Sequence, residues 1–367
     1  MQEKKHNYLY LNIIDKNRNL PVDGFLELTY SCNLNCIHCY VKGSESPGKE
    51  LTTIQWKKLI KEIKRQGCLY LVLTGGDPLV RNDFLELYAY AKRQGFVITI
   101  FTNGVGLTDR MIKYLAKSPP YYIDLTLNGI TPETYEAITQ VKGSFKAVME
   151  NIEKIKRHNL PLRIKVNCMQ VNKHEVVRIK NFVTGLLGAS KGKHLFAYDV
   201  ELFPRLNGDK SPLQQRLSVD EVRELIEKDV DMRNEYQRCL GDSKSALEGH
   251  NMKLYRCNVF RRQFFINPFG RLKFCQLSNK FSVDLRKTSF KEGFYKEFPK
   301  VAEEKFKTDS KCITCSLRQL CISCPAKAFL ETGNEESPIA YYCQLSKRIF
   351  SDMKESECKQ KEEALAK

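Results

Sequence analysis

The sequence has no run of eighteen apolar residues, which excludes an ordinary transmembrane helix. Its first residues, MQEKKHNYLYLNIID, carry charge and only a short apolar run broken by Asn12, without a small-residue cleavage site. That is not a signal peptide, and the expected location is the cytoplasm. No internal repeat appears, so solenoid and propeller architectures are not indicated. Acidic residues are comparatively scarce: 43 Asp plus Glu stand against 60 Lys plus Arg, a net charge of +17. The basic residues are spread through KKLIKEIKR, IEKIKRHN and the tail. The excess suits an anionic partner, although each run alone also reads as a solvated helix face.

What the chain does have is cysteine, fourteen in 367 residues. Disulfides are rare in reducing compartments, and a chain this long needs no staples, so metal or cluster ligation is the leading explanation. Three of them, Cys32, Cys36 and Cys39, fall inside eight positions of SCNLNCIHCYV. Structural zinc closes at four ligands, so His38 or His6 would have to complete a zinc site. A cubane iron–sulfur cluster on three thiolates would instead leave one iron open to a substrate.

Strand and helix patterns alternate from about residue 24 to 205. The expected strands are FLELT (25–29), YLVLT (70–74), VITIFT (97–102), YIDLTL (122–127), LRIKVNCMQV (162–171) and HLFAYDVELF (194–203). Thr52 and Gln55 announce a capping box before a helix whose Trp56, Leu59, Ile60 and Ile63 share a face. Repeated β-then-α units make a parallel sheet with right-handed crossovers, and six units suit a partial barrel. Ligands of such folds sit at the C-terminal strand ends, where the cysteine loop, the glycine loop after Thr74, the FTNG turn and the Asn128–Gly129 turn all fall.

The sequence therefore divides into an N-terminal extension (1–23), an α/β partial (β/α)6 barrel (24–205), a helical linker (206–256), a small cysteine-rich domain (257–343) and a charged tail (344–367). The cysteine-rich part is weakly periodic, the look of a domain organised by metal rather than by a large core. Cys68 and Cys168 lie beside or within apolar strands and read as core residues.

Cys32-x3-Cys36-x2-Cys39, followed by Tyr40, resembles the signature of the radical S-adenosylmethionine (radical SAM) enzymes. TGGDPL at 74–79 resembles the family's glycine motif, with Asp77 where Glu is usual. The resemblance implies one [4Fe–4S] cluster on the three cysteines. It implies a S-adenosylmethionine site contacted by Gly75, Gly76, Asp77 and Pro78 through backbone, by His38 and Tyr40 from the cysteine loop, and by Thr126, Asn128 and Asn167. The activity implied is reductive cleavage to a 5′-deoxyadenosyl radical that abstracts a substrate hydrogen.

Downstream, Cys257 and Cys275 precede Cys312-x2-Cys315-x5-Cys321-x2-Cys324 and Cys343. Two CxxC pairs alone would satisfy zinc. The whole set resembles the SPASM extension, which carries up to two auxiliary [4Fe–4S] clusters and would bring the total to three. It departs in having two residues rather than three between Cys321 and Cys324. By the resemblance, Cys312, Cys315, Cys321 and Cys343 would hold an outer cluster and Cys257, Cys275 and Cys324 an inner one. Cys239 is a candidate fourth ligand for the latter; the alternative is an open iron.

Members of this subgroup modify peptides oxidatively, so a maturase forming a crosslink, thioether or related bond in a ribosomally made peptide is the favoured expectation. A tetrapyrrole-modifying or sulfatase-maturing enzyme is the alternative, and a non-catalytic zinc or nucleic-acid-binding protein the distant one. About 24 residues precede the first strand, too few for a fused leader-binding domain. A separate recognition protein is therefore expected, with a flavodoxin- or ferredoxin-type electron donor and neither membrane nor nucleic acid as partner. No catalytic acid or base stands out.

Overall fold

The computed structural model describes residues 19–44, 48–188, 195–229, 252–257, 259–318 and 321–365, with side chains up to residue 352. Six strands lie where alternation predicts them: β1 (Asp23–Glu27), β2 (Tyr70–Thr74), β3 (Val97–Thr102), β4 (Tyr122–Thr126), β5 (Leu162–Asn167) and β6 (Phe196–Asp199). Each pairs with the next in parallel, as from Asp23↔Tyr70 to Asn167↔Asp199. β1 starts two residues earlier than its apolar pattern suggests and β6 is shorter. At β1 the cause is Gly24, whose Cα is so close to Phe264 that a Cβ would sit 2.3 Å from its ring.

The crossovers are helices α1 (Thr53–Arg65), α2 (Phe84–Arg93), α3 (Asp109–Lys117), α4 (Pro132–Thr139), α5 (Ser144–Arg157) and α6 (Val176–Leu187). The box at Thr52 forms as expected: its hydroxyl accepts from the Gln55 amide while the Gln55 side chain accepts from the Thr52 amide. Trp56, Leu59, Ile60 and Ile63 are all buried against the sheet. Cys68 and Cys168 are core residues, 1% and 0% exposed.

β6 is an edge strand, so the barrel is open. The other side of the sheet is extended by the cysteine-rich segment. Strands β7 (Gln263–Ile266), β8 (Arg271–Lys273) and β9 (Val283–Asp284) complete a nine-stranded order β6-β5-β4-β3-β2-β1-β7-β8-β9. β7 joins β1 in parallel, Asp23 opposite Gln263.

This segment is also less dependent on metal for its packing than its sequence suggests. Phe264, Phe274, Phe290, Phe294 and Phe298 are all at most 1% exposed and form a chain of edge-on and stacked rings. Its strands and short turns are two to six residues long, too short to show a period. Helices α7 (Val219–Lys228), α8 (Pro325–Thr332) and α9 (Ala340–Leu365) finish the fold. No helix among the described residues is long and apolar enough to cross a membrane. The polar stretch 241–251, Cys239 and His6 lie outside the described residues, as does the side chain of Cys358.

Candidate active site and its cysteine groups

β1 ends at Glu27, and the chain turns at once into the loop bearing Cys32, Cys36 and Cys39. Two anchors fix that turn. Glu50 accepts from the Thr29 hydroxyl at 3.0 Å and the Tyr30 amide at 2.9 Å. Arg81 donates to the Leu28 carbonyl at 2.9 Å and holds Asp83 through two bonds. The glycine loop then lies directly against the cysteine loop. The Gly76 amide donates to Thr29 O at 2.6 Å and the Asp77 amide to Ser31 O at 3.0 Å. A Cβ on Gly75 would fall 2.1 Å from Thr29 O, and one on Gly76 2.4 Å from Ser31 O. With these N–H groups engaged, carbonyl oxygen is what the loop can offer an incoming group. That suits an ammonium donor better than an anion.

The Asp77 carboxylate is buried and points inward. It accepts from the Thr102 hydroxyl at 2.7 Å and from the amides of Asn103 at 2.8 Å and Leu79 at 2.9 Å. A ligand contact from this residue is therefore a backbone one, while its side chain ties the glycine loop to the FTNG turn. Pro78 opens the short 3-10 turn that Asp77 caps. Asn103 in turn donates to Asn33 Oδ1 at 2.8 Å and approaches Cys32 Sγ at 3.5 Å.

On the far side, His38, Asn128 and Asn167 come together. Asn128 Oδ1 accepts from the Asn167 amide at 2.8 Å, so its Nδ2 faces His38 Nε2 at 3.4 Å as the donor. This makes Nδ1 of His38 the protonated nitrogen, and that buried atom has no partner among the described residues. Burial pushes the imidazole down to about 4, so it is neutral near pH 7. An unfilled donor beside two asparagines is the polar lining a purine-like ring requires. Thr126 stands half-buried at the end of β4, two residues before Asn128. Tyr40 turns the other way: its hydroxyl donates to Glu27 at 3.1 Å.

Several supporting residues have no motif to announce them. The fully buried Asn172 donates to the carbonyls of Asn128 at 2.8 Å and Asn167 at 2.9 Å, tying the turn after β4 to the end of β5. Glu175, 1% exposed, accepts from the Ile130 amide and the Thr131 hydroxyl, each at 2.7 Å. Glu27 gathers Tyr30 and Tyr40 and is attracted to the buried Lys273. The only available signal was a polar residue inside an otherwise apolar context.

Apart from the core residues Cys68 and Cys168, the described thiols fall into three groups by mutual electrostatic influence. Cys36, raised to about 12 by burial, also feels Cys39 and Cys32. Cys275, raised to about 11 chiefly by burial, feels Cys324 and Cys257. Cys343, likewise raised by burial, feels Cys321, Cys312 and Cys315. This partition is the one the resemblance implies. The described cysteines are free thiols. Neighbouring thiols whose charged forms repel one another suit a cationic centre, which deprotonates a coordinating thiol outright. The residues present thus fit both the cluster and S-adenosylmethionine.

Comparison with known proteins agrees with this geometry. Residues 26–183 match the model of the radical SAM superfamily. An AdoMet-dependent heme synthase of Methanosarcina barkeri is 25% identical over 341 residues, 86% of this chain and 95% of that protein. The mycofactocin maturase MftC of Mycolicibacterium smegmatis is 34% identical over 141 residues, 38% of this chain and 36% of its own length. Among solved structures, Streptococcus suis SuiB bound to its precursor peptide SuiA superposes with a TM-score of 0.67 at 16% identity, covering 89% of this chain and 76% of that one. AdoMet-bound anSMEcpe gives 0.67 at 16%, covering 90% and 96%.

Proposed function

This chain belongs to the radical SAM superfamily and is a radical SAM enzyme that uses S-adenosylmethionine and a [4Fe–4S] cluster, and from that premise we propose that it oxidatively modifies a ribosomally made peptide. Cys32, Cys36 and Cys39 hold the cluster, which when loaded with S-adenosylmethionine supplies a 5′-deoxyadenosyl radical able to take hydrogen from an unactivated C–H bond. The carbonyls of Gly75 and Gly76 orient the methionine amine. His38 donates from Nδ1 toward the adenine side, with Asn128 and Asn167 beside it and Thr126 near the ribose. Asp77, Asn172 and Glu175 keep these backbone segments in place and touch no reacting atom.

The observation that carries an oxidative outcome is packing. Cys275 and Cys324 share one apolar cluster with Tyr40, the residue after Cys39. Two auxiliary clusters, an inner one on Cys257, Cys275 and Cys324 and an outer one on Cys312, Cys315, Cys321 and Cys343, would then adjoin the site. Held by these cysteines, such clusters would supply an electron acceptor, and the net change in the substrate would be the loss of two hydrogens. A peptide substrate is supported by the likeness to the mycofactocin maturases and by the +17 charge, which suits an acidic leader. The expectation of a separate leader-recognition protein belongs to the same reading.

The end-to-end match to a heme synthase supports a second reading, a carboxylate-bearing tetrapyrrole as substrate. Anaerobic reconstitution, followed by mass spectrometry with S-adenosylmethionine and reductant, separates the two. Loss of two hydrogens from a short peptide encoded beside the gene supports the maturase. Change in a tetrapyrrole dicarboxylate, with no peptide modified, replaces it.

A further inference from the structure

We propose that the exposed lysine rim around Cys315 is the docking surface for an acidic one-electron carrier protein, an inference that rests on reading Cys312, Cys315, Cys321 and Cys343 as the ligands of the outer cluster. These four cysteines line a cavity of about 380 Å³ whose wall also carries Lys311 and Lys347. Cys315 is exposed, as are both lysines; in the inner group Cys257 is also exposed, while Cys275 and Cys324 are half-buried and Cys324 shares the wall of this cavity. The outer group thus opens to solvent at Cys315, while Cys275 and Cys324 pack with Tyr40.

Basic residues outnumber acids at the open end: Arg256, Lys311, Arg318 and Lys347 line the cavity against Glu335 and Glu336. Lys253 and Lys305, both exposed, are paired across an antiparallel backbone bridge. Arg318 joins that bridge to the cavity: its guanidinium donates to the Lys253 carbonyl at 2.5 Å and lies 4.7 Å from the Phe306 ring centre. The neighbouring acids are largely engaged elsewhere. Glu304 and Glu335 both bind Lys280, and Glu336 accepts from the Lys307 and Thr308 amides. Glu303 and Asp309 are exposed nearby, too few to neutralise the rim.

A field of one sign around an exposed redox centre steers an oppositely charged carrier and orients it. Nucleic acid would also answer to positive charge, but it has no use for a thiol-lined cavity at the centre of the rim. One electron passes per encounter: the carrier is oxidised as the outer cluster is reduced, or the reverse, with no bond or proton exchanged at this surface.

The test uses reconstituted full-length enzyme with an acidic plant-type ferredoxin as probe. Stopped-flow absorbance follows electron exchange, and titration follows binding, each across a range of ionic strength. The wild type should lose rate and affinity steeply with salt. A Lys305→Glu/Lys311→Glu/Lys347→Glu variant should exchange at least about tenfold more slowly, with its salt dependence flattened. The corresponding Gln triple variant should fall between. Iron content and dithionite-driven 5′-deoxyadenosine should stay at wild-type values. Equal exchange rates in variant and wild type, or tighter binding of a random DNA duplex than of ferredoxin, would overturn the docking surface. Absence of dithionite-driven 5′-deoxyadenosine from the wild type would instead overturn the radical reading, leaving exchange to be judged by absorbance alone.

Discussion

Gly76 has no room for a side chain. The atoms a Cβ would meet are the carbonyl oxygens of Ser31 and Tyr30, backbone that leads straight into Cys32 and cannot step aside as a flexible side chain would. Gly76→Ala should therefore displace the cysteine loop at a cost of about 1–3 kcal/mol. Iron retained after reconstitution should fall by the share of one cluster, while far-UV circular dichroism stays near wild type. An unchanged iron content would show that the loop tolerates the shift. His38 illustrates a different principle at this scale. Its ring is held neutral by burial and oriented by one amide, so its contribution is a directed N–H rather than a charge.

At the scale of elements, β4 and β5 are registered by a charge cluster. Asp124, whose side chain is fully buried, takes both nitrogens of Arg163 at 2.6 and 2.7 Å and Lys165 at 2.7 Å. Asp124→Ala strands two cations against the sheet. About 2–4 kcal/mol of unfolding free energy should be lost, less than for a fully enclosed pair because Arg163 and Lys165 are 31% and 39% exposed. Chemical denaturation measures it. α7 carries a pH-dependent contribution. Glu221 completes the cap at Ser218 and also accepts from Gln170 and Lys173. These partners hold it down to about 2, below the ordinary value of 4.5. Its folded value is the lower one, so the stabilisation is present above the unfolded value and is lost as pH falls toward the folded one. The stability difference between wild type and Glu221→Gln should accordingly shrink between about pH 5 and pH 3 in apo-protein.

The elements were legible from sequence where their signals are local. The Thr52 box and the stripe of Trp56, Leu59, Ile60 and Ile63 lie within one helix. So do the three motif cysteines within one loop. Asn172 and Glu175 escaped because they act across 44 and 45 residues, on the backbone of a turn. Glu27 and Lys273 escaped for the same reason, since burying either looks unfavourable until the other is in place. The aromatic core around Phe264 and Phe294 was hidden by the brevity of its strands and turns.

For the whole molecule, the cysteine-rich segment is part of the barrel's own sheet. β7 covers the side of β1 that β2 does not, and Phe265 stacks on Phe25 at 4.6 Å. A truncation ending at Asp229 would expose that edge together with the apolar surface beneath Phe264. Such a product should self-associate on size-exclusion chromatography, whereas a well-behaved monomer would show that the barrel stands without its extension.

The same pairing sets a schedule for biosynthesis. β1 is among the first strands to leave the ribosome, yet its partner β7 emerges some 240 residues later. At about 5–20 residues per second that is a wait of roughly 12–48 seconds. Throughout it, the loop carrying Cys32, Cys36 and Cys39 hangs from an unfinished sheet edge, its thiols open to oxidation and to stray metal. Cluster loading before the last third of the chain has folded would fix that loop against an incomplete wall. The strand made early is thus completed late, and an orderly assembly line would deliver iron only to the finished chain.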